Sequence, residues 1–157
     1  MEPDEPYEQP RPLTEREREI LDFLLSVDLP GVEELREQAE TALAVRWGER
    51  DPSFALYVDK EATRPSPLRT RPLIQASTKR QDFEHLYDLL LWVNEEGWLS
   101  SVEFYPYGDR WLEVLLPPSE FDPPEPYSVV QRLLSRLRGS ARTRLGLQRP
   151  TRPRRRP

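Results

Sequence analysis

His85 is the only histidine in a chain of 157 residues that contains no cysteine. It follows Asp82 by three positions and Glu84 by one, and an imidazole beside a carboxylate can act as a general base. A base also needs a nucleophile and oxyanion donors, and no motif in the chain supplies them. The pattern therefore reads better as a packed surface histidine than as a catalytic one. An enzyme built on His85 would require a pocket that sets the ring beside an acid and a hydroxyl.

Other chemistries fall to the composition. Without a thiol there is no disulfide, no Cys–His nucleophile, no iron–sulfur cluster and no cysteine zinc site. A single imidazole removes every site that needs two. The six glycines, at 31, 48, 97, 108, 139 and 146, form neither a phosphate loop nor a dinucleotide fingerprint. Glu95 and Glu96 fall at a turn where they are solvated, and no Asp-x-Asp run resembles a calcium loop. No cofactor, no metal and no catalytic residue is expected.

The aromatic residues carry more information. Trp47, Tyr57, Trp92, Trp98, Tyr105, Tyr107 and Trp111 all fall in or beside segments that read as sheet. Large rings with arginines nearby anchor interfaces, and rings on a sheet can also stack unpaired bases. A small sheet also needs bulky side chains for its own core. Trp98 and Phe104 are expected in that core, whereas Trp92, Tyr105, Tyr107 and Trp111 are the candidates to face a partner.

Charge is unevenly placed. Of the 23 basic residues, ten lie beyond Gln131 in a stretch without one acid, which leaves 13 bases against 28 acids in the rest. The body is acidic and the end is basic. Arg142, Arg144, Arg149, Arg152, Arg154, Arg155 and Arg156 are candidates to follow a nucleic-acid backbone, although such an arm also suits an anionic membrane or an acidic protein surface. Arginine outnumbers lysine 21 to 2, a bias that a GC-rich bacterial genome produces without any chemistry.

The elements that would position these residues are legible in part. Twelve of the 18 prolines lie in 1–12, 117–126 and 150–157, which marks an acidic lead, a linker and part of a disordered tail. Thr14-Glu15-Arg16-Glu17 is a capping box and should open a helix with Ile20, Leu21, Phe23, Leu24 and Leu25 on its apolar face. Pro30-Gly31 ends it, and a second helix from Val32 to Leu43 completes a helical hairpin. Strands are expected at 44–47 and 53–58, a surface loop over 59–71, and a short strand at 72–76, plausible at an edge because it opens with proline. A β-hairpin over 86–93 and 98–105 turns at Asn94-Glu95-Glu96-Gly97. Pairing Val93 with Trp98 would set Asp88 opposite Glu103, a like-charge contact that a bulge shifting the register would relieve. Trp111 to Leu116 could add a strand. Beyond the linker, 127–145 reads as an amphipathic basic helix, and 146–157 as a disordered arginine-rich tail.

Two of these segments also carry a resemblance. Arg11-Pro12-Leu13-Thr14-Glu15 through Leu25, with Leu29-Pro30-Gly31 and Glu34-Leu35, is similar to the opening of a family of small bacterial α+β proteins of unknown function. Leu89–Val93 and Gly97–Tyr105 resemble that family's later motif. The turn here is longer than the short Asp-Gly turn of the family, and the basic C-terminal segments lie outside the likeness. The resemblance implies an α+β domain with no activity or site residue to carry over.

The expected architecture is an α+β domain over 13–116, with a helical hairpin packed on a mainly antiparallel sheet of four to six strands and a C-terminal amphipathic helix. The expected role is a non-catalytic protein-protein interaction module, one form of which is an immunity-like protein that neutralises a basic effector. The alternative is a nucleic-acid or ribosome-associated protein acting through the arginine-rich end. The acidic first nine residues show no secretory signal, and the longest apolar run, Leu89 to Val93, is far too short to span a bilayer, so a cytoplasmic protein without a membrane span is expected.

Overall fold

A computed structural model describes residues 8–68, 73–80 and 82–127. The C-terminal helix and tail expected over 127–157 lie, apart from Tyr127, outside the described residues, as do the candidate arginines they contain.

The first helix starts where the capping box places it. Thr14 Oγ1 accepts from the amide of Glu17 at 3.2 Å, and the Glu17 carboxylate accepts from the amide of Thr14 at 2.8 Å. Helix α1 (Glu15–Leu24) follows, burying Ile20, Leu21 and Leu24. The chain reverses at Gly31, whose φ of +92° suits a residue without Cβ, and enters helix α2 (Val32–Thr41), which buries Val32, Leu35 and Ala39.

Neither helix has a basic residue in its last turn. Each takes a cation from the other. Arg18 of α1 donates to the carbonyl of Ala39 near the end of α2 at 2.5 Å, while Arg36 of α2 donates to the carbonyls of Leu25 and Val27 beyond α1 at 2.9 and 3.2 Å. Positive charge at a helix C-terminus satisfies orphan carbonyls and opposes the macrodipole. The hairpin is locked at both ends.

Seven strands form one sheet: β1 (Arg11–Pro12), β2 (Leu43–Gly48), β3 (Asp51–Tyr57), β4 (Ile74–Ser77), β5 (Tyr87–Val93), β6 (Leu99–Pro106) and β7 (Glu125–Pro126). Their order is β1-β2-β3-β6-β5-β4-β7, and every pairing is antiparallel. The protein is therefore α+β and dominated by its sheet.

Several expectations change. The sheet has more than the expected four to six strands because β1 and β7 come from proline-rich stretches read as lead and linker. Both are two-residue edge strands containing proline, a residue an edge tolerates because one side of the ladder is unpaired. The stretch 117–126 also buries Phe121, which meets Phe23 of α1 with ring centroids 6.4 Å apart. With β7 beside it, β4 is not an edge. Trp111 to Leu116 forms no strand; Leu115 enters the core while Leu112 and Leu116 pack against it, so this segment covers the sheet instead of extending it.

The hairpin register also shifts. Leu89 pairs with Phe104, Leu91 with Val102 and Val93 with Leu99, with an irregular step between Trp92 and Val93. Asp88 then faces Tyr105, and Glu103 faces Leu90, so the like-charge pair is absent. A shift of two residues preserves the faces. Tyr87, Leu89, Leu91, Val102 and Phe104 point into the core, where the Tyr87 and Phe104 rings stack at 4.9 Å. Trp98 is buried as expected, but outside the main core cluster.

The loop over 59–68 is exposed along much of its length yet buries Ser66 completely. Ser66 donates its amide to the carbonyl of Gly97 at 2.8 Å and its hydroxyl to the carbonyl of Gly31 at 2.7 Å. One serine thus ties the helical turn to the strand turn. Among the described residues, no helix is long and apolar enough to cross a membrane.

Candidate functional site

Alternation along the strands divides the side chains into two sets. One set is covered by α1, α2 and the segment 111–121; the other lies on a face that no described helix covers. Ala44 pairs with Leu56 and both are buried, so their neighbours Leu43 and Tyr57, themselves paired, turn the other way. Leu43 is 37% exposed, Tyr57 51% and Trp47 50%. Tyr105 lies on this face of β6, 38% exposed and edge-on to Tyr107 at 5.4 Å.

The four aromatic candidates do not form one patch. Trp92 is half-buried, and its Nε1 donates to Glu103 Oε2 at 3.0 Å across the strand pair. Tyr107 donates its hydroxyl to Asp88, whose other oxygen accepts from Ser77 Oγ at 2.6 Å. Tyr105 is the exposed member of that group. Trp111 belongs elsewhere: it is 58% exposed but sits in the segment whose leucines pack on the core side. Trp47 and Tyr57 were not among the residues assigned to a partner. The signal that could have found them is their placement on the same ribbon as Ala44 and Leu56, whose small and aliphatic side chains take the core positions.

A second concavity lies at His85. A pocket of about 230 Å³ has Thr78 and Tyr87 in its lining, Leu112 and Leu116 along an apolar wall, and His85 with Arg110 on a polar side. His85 Nδ1 contacts Asp82 Oδ2, and Arg110 Nη1 lies 3.0 Å from His85 Nε2. A guanidinium can only donate, so a hydrogen bond from Arg110 requires Nε2 to accept, which leaves Nδ1 to face the Asp82 carboxylate. Hydrogen bonding from His85 holds the Asp82 carboxyl below its ordinary value. Burial is the largest influence on the Tyr87 hydroxyl and pushes it up.

The acid and the hydroxyls that an enzyme on His85 would need are near, but engaged. Thr78 Oγ1 donates to the carbonyl of His85 at 3.0 Å and accepts from the amide of Tyr87 at 3.1 Å. Tyr87 donates to the carbonyl of Arg110 at 3.2 Å. Neither hydroxyl is bonded to the imidazole, whose two nitrogens are both occupied. Among the described residues, no group of three or more histidine, aspartate or glutamate side chains is placed to hold a metal ion.

The fold and its two surfaces define a sheet-dominated α+β protein with one helix-covered face and one partly exposed aromatic face. No protein-family model, curated protein or solved structure matches the chain.

Proposed function

We propose that this protein is a non-catalytic binding module whose sheet face receives a basic protein, in the manner of an immunity protein that neutralises a cationic effector. The observation that carries the reading is the exposure of two rings, Tyr57 beside the core residue Leu56 on β3 and Trp47 at the irregular end of β2, each about half exposed. Such rings bury large area at low entropic cost and accept cations over their faces. Lys60 already sits 5.8 Å from the centre of the Trp98 ring within the chain. The excess of 28 acids over 13 bases before Arg132 favours a cationic partner.

The nucleic-acid reading is favoured by a separate observation, the ten arginines beyond Gln131 with no acid among them. It predicts binding that weakens steeply with salt and disappears when 140–157 are deleted. One experiment separates the two: the nuclease-treated full chain is titrated against a panel of basic proteins and against single- and double-stranded oligonucleotides. The module reading expects saturable binding to a basic protein that is lost in the Trp47→Ala/Tyr57→Ala variant and kept when 140–157 are removed. Oligonucleotide binding that vanishes with those residues, and no protein binding, would refute it.

A further inference from the structure

The pocket at His85 has a composition that the sheet face does not explain. Arg110 spends one N–H on the imidazole and forms no ion pair among the described residues; Arg80, also in the lining, forms none either, although its charge helps to hold the Asp82 carboxyl down. Among the described residues, neither of these two arginines comes within ion-pair distance of a carboxylate. His85, itself held through Asp82, fixes where the Arg110 guanidinium points. The planar fork of a guanidinium matches the two oxygens of a carboxylate.

The remainder of the lining limits the ligand. Leu112 and Leu116 offer aliphatic surface backed by the core, and Tyr87 is buried beneath. A volume of about 230 Å³ falls below the roughly 300–1,000 Å³ of sites for drug-sized ligands, so a nucleotide does not fit. Glu120 also lines the cavity, and its charge opposes a dianion more than a monoanion. We propose that this pocket binds a small aliphatic monocarboxylate, its head on Arg110 and Arg80 and its branched body against Leu112 and Leu116. The site is independent of the protein-binding face, and either can fail without the other.

Titration calorimetry of the full chain with isovalerate, isovaleramide and inorganic phosphate tests the assignment. Isovalerate should bind saturably, and the amide and phosphate at least tenfold more weakly. Arg110→Gln and Arg80→Gln should each weaken isovalerate by about ten- to a hundredfold, the usual effect of losing a charged hydrogen bond. Both side chains are exposed, so folding should persist, checked by thermal melting; Arg16→Gln, on another surface, should bind as the parent does. Failure of the parent chain to bind isovalerate overturns the proposal. So does phosphate binding as tightly as isovalerate, or an Arg110→Gln chain that binds unchanged.

Discussion

Gln38 donates from Nε2 to the carbonyl of Gly97 at 3.0 Å, although 59 positions separate them. The same nitrogen donates to the carbonyl of Arg64 at 2.8 Å, and Oε1 accepts from the amide of Leu99 at 2.9 Å. A fully buried glutamine thus fastens α2 to the hairpin turn and to the loop over 59–68. These bonds, with those of Ser66, hold the helical layer in place against the sheet.

Removing that side chain should be costly. Gln38→Ala leaves two carbonyls and one amide without this partner in a buried setting, and a loss of about 2–4 kcal/mol is expected from one to three kcal/mol per unsatisfied group with partial relaxation. Urea unfolding followed by tryptophan fluorescence measures it. A loss below about 0.5 kcal/mol would mean that the contact is not an anchor.

Gly97 and Gly48 should respond oppositely to alanine. Gly97 has φ of +93°, and an added Cβ would stand 2.0 Å from the Ser66 carbonyl oxygen. Gly97→Ala should therefore cost more than about 2 kcal/mol, from left-handed strain together with displacement of Ser66. Around Gly48 nothing lies within 4 Å of such a Cβ, so Gly48→Ala should fall within about 0.5 kcal/mol of the parent. Thermal melting of the two variants checks the contrast.

Arg36 should be replaceable neither by alanine nor fully by lysine. Its fork reaches two carbonyls, of Leu25 and Val27, and an ammonium cannot reproduce that geometry. Arg36→Ala should lose about 1 kcal/mol and Arg36→Lys a part of it, measured by the shift of the denaturation midpoint.

Glu17 makes stability depend on acid. Burial pushes its carboxyl up, but the bidentate Arg11 guanidinium at 2.8 and 2.9 Å and the Thr14 amide outweigh this, and the group sits below the usual glutamate value. A lowered value in the folded state gives stability that is complete above the unfolded value, about 4.3, and lost as pH falls through the folded one. Glu17→Gln should be less stable than the parent near neutrality by about 1 kcal/mol, and the gap should close as the solution is acidified below pH of about 4. A constant gap across that range would contradict the assignment.

The helix start at Thr14 and the existence of the hairpin were legible because each depends on residues within a few positions of one another. Thr14 and Glu17 meet across one helical turn, and Asn94 and Gly97 close a local loop. What escaped depends on distant partners. Arg11–Pro12 becomes a strand only because Leu43 and Ala44 are beside it, and Glu125–Pro126 only because β4 needs a neighbour. The register moved by two because the irregular step beside Trp92 is set by how Val93 and Leu99 both reach the core, not by the turn alone. In the pocket, His85 and Asp82 were visible as neighbours. Arg110, whose Nη1 lies 3.0 Å from His85 Nε2, comes from 25 positions further on, and no spacing rule announces it.

If the sheet face receives a basic protein as proposed, the exposed rings Trp47 and Tyr57 make that contact, and neither the arginine-rich end nor His85 is needed for it. Affinity capture from nuclease-treated lysate with four chains measures it most directly: the parent, Trp47→Ala/Tyr57→Ala, a chain lacking 140–157, and His85→Ala. A basic protein captured stoichiometrically by the parent, the truncation and His85→Ala, and lost only with the two rings, is the predicted result. Capture that survives loss of both rings and depends on residues 140–157 or on His85 would contradict it.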